Sequence, residues 1–253
     1  MPPGYREFEF DLPQALLTHL ILAFDSMEVG PLTPEIVAAM PEAQGVYQLF
    51  HQGRLVYIGK TDAQAGLKQR LSRHAWTIQH RRNLDPLEVN FKAIRVFVFT
   101  AVDLETQLIR HYRANAPVTW NSSGFGSNDP GRERDTTNAK PEGFDALFPV
   151  DLDRDISINI ESPTTAFNVL AELRKSLPYT LRFESASRGS RRGHPDLEST
   201  TVSISETNST TRAILANVFG TLPGGWQATL LPGRVIVYKE RREYTFGEII
   251  VRS

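Results

Sequence analysis

Residues Gly45 to Thr61, GVYQLFHQGRLVYIGKT, read as two short strands around a turn at Gln52-Gly53, with Gly-Val-Tyr in one strand and Tyr-Ile-Gly in the other. Side chains alternate faces along antiparallel strands, so Tyr47 and Tyr57 can share one face near the same level. The glycines beside them let another backbone, or a substrate, approach closely. A pair of core aromatics would give the same pattern. Further on, Arg70 and His74 stand four residues apart and project from one helix face, with Arg73 close to it. The planar fork of arginine donates two parallel hydrogen bonds to a phosphate, and histidine accepts a proton near neutral pH. Exposed Arg/His pairs are also common without any such role. Glu105 sits among apolar Val102, Leu104, Leu108 and Ile109, early in a helix. A carboxylate there is either a partner of the helix dipole or a metal ligand.

These side chains need a scaffold, and the flanking sequence supplies its elements. FDLPQALLTHLILAFDSM reads as a helix with apolar residues at Leu16, Leu17, Leu20, Ile21 and Phe24. Thr33 is a candidate N-cap of a second, short helix, with Pro34 at its first position. After the hairpin 45–58, a helix runs from Thr61 to His80, interrupted or preceded by Gly66. Val89 to Thr100 reads as a third strand, and Val102 to Asn115 as a helix closed by Ala116-Pro117. Asn121 to Gly143 is dense in Gly, Asn, Asp and Pro, a long surface loop of the kind that is usually functional or disordered. A boundary is expected near Phe148-Pro149. Beyond it, DISINIES, YTLRFES and TTVSISE read as strands. PTTAFNVLAELRKSL and NSTTRAILANVFGTL read as helices, and WQATLLPGRVIVYKE as a hairpin turning at Pro232-Gly233. Ile156-Ser157-Ile158 leads to Thr164-Thr165 as Val202-Ser203-Ile204 leads to Thr210-Thr211, which suggests a duplicated β-α-β unit. Between the two lies a polar loop with Arg188, Arg191 and Arg192.

Composition narrows the chemistry. The 253 residues are 40% hydrophobic and 23% charged, enough for one large domain or two small ones with a core. The absence of cysteine excludes disulfides, thiolate zinc sites and a cysteine nucleophile in this chain. A metal would have to sit on carboxylate, imidazole or water, as hard ions do. The charged N-terminus lacks the apolar run of a signal peptide, and Ala15 to Phe24 is about half the length needed to span a bilayer. A soluble, cytoplasmic protein without membrane partners is the expectation. The net charge of −1 argues against a generic nucleic-acid binder, but residues 1–45 carry net −6 and residues 54–113 net +6. That asymmetry implies either a local cationic face or an ordinary solvated helix face.

Taken in order, Gly45-Val46-Tyr47, Tyr57-Ile58-Gly59-Lys60, Arg70, His74, Glu105 and Asn121 resemble the GIY-YIG nuclease superfamily, with valine for isoleucine in the first tripeptide. The resemblance covers roughly residues 45–122. QGVYQLFHQGRLVYIGKTD, LKQRLSRH, GFGSNDPGRERD (Gly124 to Asp135) and the N-terminal FEFDLPQALL…GPLTPEIV also look like the small branch of type II restriction endonucleases built on that domain. This extends the likeness to about residues 7–145. The last hundred residues resemble nothing in that branch.

The resemblance implies an α/β catalytic domain over residues 1–148, a small mixed sheet flanked by helices, with a DNA-contacting loop at 121–143. An α+β accessory domain of two β-α-β-like units would follow at 149–253. It implies metal-dependent hydrolysis of double-stranded DNA with magnesium or manganese on Glu105, and Arg70 on the scissile phosphate. Tyr47 would activate or orient water, with His74 or Tyr57 assisting proton transfer, and Asn121 would brace the site. Which of Tyr47 and His74 is the base stays open, since a phenol is a poor base unless a cation lowers its pKa. Lys60, Arg73, Arg81 and Arg82 are expected on DNA, the last two on its backbone. Asn128, Arg132 and Arg134 could reach base edges, because asparagine pairs with adenine and arginine with guanine. A structural Ω-loop is the alternative for that segment. A palindromic site would imply a homodimer, and a neighbouring DNA methyltransferase gene would fit restriction. Two other readings remain: a non-cleaving DNA- or protein-binding module, and a defence or mobile-element nuclease aimed by its C-terminal domain.

Overall fold

The computed structural model describes residues 2–61, 64–97, 103–126, 129–137, 140–187, 189–190, 192–204 and 208–253. The chain divides into two compact units. The first holds residues 1–75 and 85–121, and the second residues 76–84 and 122–253. The division does not fall at the boundary expected near residue 148, because residues 122–148 pack within the second unit.

In the first unit, helix α1 (Leu12–Ser26) starts where the Asp11 carboxylate accepts from the Gln14 N–H at 2.9 Å, with proline in the first turn. Strand β1 (Gly30–Pro31) leads to the short helix α2 (Pro34–Ala38), capped by Thr33 as its sequence suggests. Strands β2 (Gly45–His51) and β3 (Arg54–Thr61) form the hairpin. Its two turn residues, Gln52 and Gly53, both have positive φ (51° and 74°), the geometry that matches the twist of paired strands. Helix α3 (Gly66–Gln79), strand β4 (Val89–Arg95) and helix α4 (Leu104–Arg113) follow. Residues 98–100 of the expected longer strand, and Val102 at the expected start of the next helix, lie outside the described residues.

The sheet order is β1-β4-β2-β3, and every pairing is antiparallel. The expectation of a mixed sheet is therefore corrected: the hairpin fixes β2 against β3, and β4 returns antiparallel along the other side of β2. One face carries Val46 and Ile58 into a core with Leu20 and Phe24 of α1 and Leu104 and Leu108 of α4. Edge strand β3 is covered by the segment after α4. The Trp120 N–H donates to the Val56 carbonyl at 2.7 Å, which removes a free template edge.

In the second unit, α5 (Phe144–Leu147) precedes β5 (Asp155–Ser157), β6 (Thr164–Thr165), α6 (Ala166–Ser176) and β7 (Thr180–Phe183). Then come α7 (Pro195–Ser199), β8 (Thr201–Val202), β9 (Asn208–Thr210) and α8 (Thr211–Phe219). Strands β10 (Gln227–Leu231), β11 (Arg234–Tyr238) and β12 (Glu248–Arg252) close the chain. Each threonine pair supplies a helix cap, one position out of register with the echo: the hydroxyls of Thr165 and Thr210 cap α6 and α8, accepting from Asn168 N at 3.2 Å and Ala213 N at 3.1 Å.

The expected β-α-β-like units are corrected in their pairing. Strand β5 pairs with β9 and β6 with β8, all antiparallel, so the strands entering each helix pair across the duplication. The strands leaving the helices join a four-stranded sheet of order β12-β10-β11-β7, where only β7 and β11 run parallel. Val169, Leu170, Leu173, Leu215, Val218, Trp226, Val235 and Val237 build its core. Overall the chain is α/β with several small sheets, and no helix among the described residues is long and apolar enough to cross a membrane.

Candidate active site

The glycines beside the two tyrosines are fixed by close contacts. Tyr47 faces Gly59 across the β2–β3 ladder, and a Cβ on Gly59 would strike the Tyr47 ring and hydroxyl. A Cβ on Gly45 would strike the Ile94 carbonyl and Leu67. Tyr57 lies opposite Leu49 rather than Tyr47, so the tyrosines meet diagonally on one face with ring centroids 6.0 Å apart.

Helix α3 completes the cluster. His74 Nε2 lies 2.8 Å from the Tyr47 hydroxyl, and Arg70 Nε donates to the same oxygen at 3.4 Å. The His74 ring stands 5.5 Å from that of Tyr47 and 5.4 Å from that of Tyr57. Tyr47 and His74 are both buried. Burial pushes the Tyr47 phenol well above its ordinary pKa; Tyr57 adds to this and Arg70 opposes it. Burial holds His74 well below its ordinary value, with Arg70 and Arg73 pushing the same way, so its imidazole is neutral at pH 7. Burial also works against the Arg70 cation, but the two phenols outweigh it and its pKa rises.

Asn121 sits beside edge strand β3. The Ile58 N–H donates to its Oδ1 at 2.9 Å, and its Nδ2 donates to the Ile58 carbonyl at 2.8 Å. The side-chain amide thus takes the place of a neighbouring strand at the residue after Tyr57. Lys60 is tied to Asp103 at 2.9 Å, and Asp103 caps α4 by accepting from the Thr106 hydroxyl at 2.6 Å and from its N–H. The Thr106 and Lys60 hydrogen bonds pull the Asp103 carboxyl down to about 2. Asp103 was not among the residues singled out from sequence, although aspartate directly before an apolar helix start is a standard capping signal.

Glu105, in the first turn of α4, is half-buried, and its carboxylate makes no hydrogen bond or ion pair to a described residue. Burial raises its pKa, and Lys60 pulls the other way. Among the described residues no group of three or more His, Asp or Glu is placed to hold a metal. The donor set therefore does not make a cage. It fits a hard ion that takes one protein carboxylate and completes its shell with water and phosphate oxygens.

The residues expected on DNA divide. Arg73 is exposed on α3. Arg82 is half-exposed, 3.8 Å from Glu248. Arg81 is corrected. Its side chain is only 6% exposed, Nη1 donates to Asp145 at 2.7 Å and to the Phe148 carbonyl at 3.1 Å, and the guanidinium lies over the Phe144 ring. It is a structural ion pair of the second unit and is not available to a phosphate. Arg132 is occupied as well, with Glu184 at 2.7 Å and the Tyr238 ring 4.1 Å beneath it, though half of the side chain stays exposed. Arg134 is exposed. Asn128, Arg188 and Arg191 lie outside the described residues, while Arg192 is exposed.

The sequence reading missed the partners of this loop. Asp135, 5% exposed, accepts from Arg234, Arg182 and Tyr238. Those partners lie 47 to 103 positions away, and no local pattern marks them. No protein-family model matches the chain, and no curated protein sequence matches it.

Proposed function

We propose that the chain is a metal-dependent endonuclease of GIY-YIG type that hydrolyses phosphodiester bonds in double-stranded DNA, sequence-specifically, in the manner of a restriction enzyme. The observation that supports it is the convergence of the Tyr47 hydroxyl, His74 Nε2 and Arg70 on one face of a hairpin. In this reading the phenol donates to Nε2, and His74 is the Nδ1–H tautomer. Tyr47 then relays rather than ionises. It accepts a proton from the attacking water as its own proton passes to His74, whose basicity, depressed by burial and by Arg70 and Arg73, would be restored in part when an anionic phosphate binds Arg70. Arg70 neutralises charge gathering on the phosphate. Asn121 holds β3, and with it Tyr57, in place. Glu105 would hold magnesium or manganese, which supplies Lewis-acid stabilisation of the phosphate charge. Arg73, Arg82 and Arg134 are exposed and could meet DNA, and a homodimer on a palindromic site fits the reading.

Unmethylated phage DNA incubated with purified protein, in magnesium and in EDTA, tests this. Discrete magnesium-dependent fragments are expected. Intact DNA that is nevertheless retarded on a gel would replace the nuclease with a binding module. A methyltransferase gene beside this one would favour restriction over other defence roles.

A further inference from the structure

The four-stranded sheet of the second unit has two unlike faces. Leu181, Val235 and Val237 point into the core with α6 and α8. Arg182 of β7 pairs with Ile236 of β11, and together with Arg234 and Tyr238 it belongs to the opposite face. Segment 129–137 is fastened to that face. Asp135 Oδ1 accepts from Arg234 Nε at 2.8 Å, and Oδ2 accepts from Arg182 Nη1 at 2.6 Å and the Tyr238 hydroxyl at 3.0 Å. Arg182 also grips Asp129 through two nitrogens, and Asp129 accepts from the Gly131 N–H at 2.9 Å, bridging the turn where φ is positive. Two carboxylates thus meet two guanidiniums.

The network reaches the neighbouring residue. Arg234 Nη2 donates to the Arg134 carbonyl at 2.9 Å, which fixes the backbone from which that side chain leaves. The Arg134 side chain is exposed and makes no ion pair among the described residues. Burying the Asp135 carboxylate costs several kcal/mol of desolvation that its partners only offset, so the network fixes one pose of the loop more than it adds net stability. The arrangement is explained if the orientation of Arg134 matters.

We propose that Asp135 is a positioning residue. It clamps segment 129–137 to β7 and β11, so that Arg134 meets a DNA phosphate in a fixed pose. The inference rests on the endonuclease reading and gives the last hundred residues a task, that of holding the loop. The full-length chain with Asp135→Asn should be cut by trypsin after Arg132 or Arg134 at least about tenfold faster than wild type. On DNA its KM should rise about tenfold with kcat nearly kept, the split expected when a pre-set contact is lost. Arg134→Ala should raise KM similarly and lower the salt slope of binding by about one. The double variant should be no worse than either single one. Arg234→Lys keeps the charge but loses the fork that reaches the Arg134 carbonyl. It should move the same readouts less, and it serves if Asp135→Asn fails to fold. Wild-type trypsin protection in Asp135→Asn, or additive effects in the double variant, would overturn the clamp. A wild-type chain that neither binds nor cuts DNA would overturn the endonuclease reading and the DNA role together. The trypsin comparison would then still separate a clamp without a DNA role from no clamp.

Discussion

The Tyr47–His74–Arg70 cluster and the Asp135–Arg182–Arg234 network are both buried polar assemblies, but they balance charge differently. In the second unit each acid in the network is matched by guanidinium forks, and both Asp135 oxygens are occupied. In the first unit the groups hydrogen-bonded to Arg70 are neutral, and the half-buried Glu105 has no matched cation within bonding distance among the described residues. A saturated network holds a shape. An assembly short of anionic partners near a guanidinium, with a carboxylate left over, has the capacity to take a phosphate and a cation.

If the comparison is right, substitutions should separate stability from activity. Glu105→Ala should abolish metal-dependent cleavage, a loss of about a thousandfold or more, while unfolding in denaturant stays within about 1 kcal/mol of wild type. Wild-type cleavage by this variant would remove the site assignment. Arg182→Ala should do the reverse, costing the second unit about 3–5 kcal/mol by leaving Asp135 and Asp129 underpaired. A denaturation midpoint equal to wild type would show that the network carries no load. Tyr47→Phe should lower kcat by about 10²–10⁴, the range for lost proton transfer. Its stability cost should be about 1–3 kcal/mol, since buried His74 Nε2 loses the hydroxyl it bonds.

A smaller effect concerns pH. The His74 pKa lies well below its ordinary 6.5 in the fold, so below about 6.5 the unfolded chain binds a proton that the folded chain refuses. The stability contribution of neutral His74 is complete above that pH and is lost as pH falls below it. Denaturant midpoints read across that range should decline in wild type and decline less in His74→Phe. Identical slopes would place the titration elsewhere.

Much of the site was legible because it is local. The glycine–tyrosine hairpin, the one-turn spacing of Arg70 and His74, the Thr33 cap and both two-residue turns are short-range patterns, and backbone geometry enforces such patterns directly. Long-range pairing was not legible. The antiparallel return of β4, the crossed ribbons β5·β9 and β6·β8, and the burial of Arg81 against Asp145 all join residues far apart in sequence. Arginine illustrates the limit best. Arg81, Arg132 and Arg134 look alike in sequence, and only the acid that each does or does not find decides whether its charge stays available.

The crossed ribbons have a bearing on how this half of the chain came about and how it can be divided. If the two threonine-capped segments arose by copying an ancestral piece, that piece would have had to supply a strand for a neighbour and receive one in return. A lone copy could satisfy those edges only by pairing with a second molecule. The present arrangement is therefore equivalent to such an exchange sealed within one polypeptide. Severing the chain between α6 and α7 should leave two fragments that are each incomplete but remain complementary when mixed.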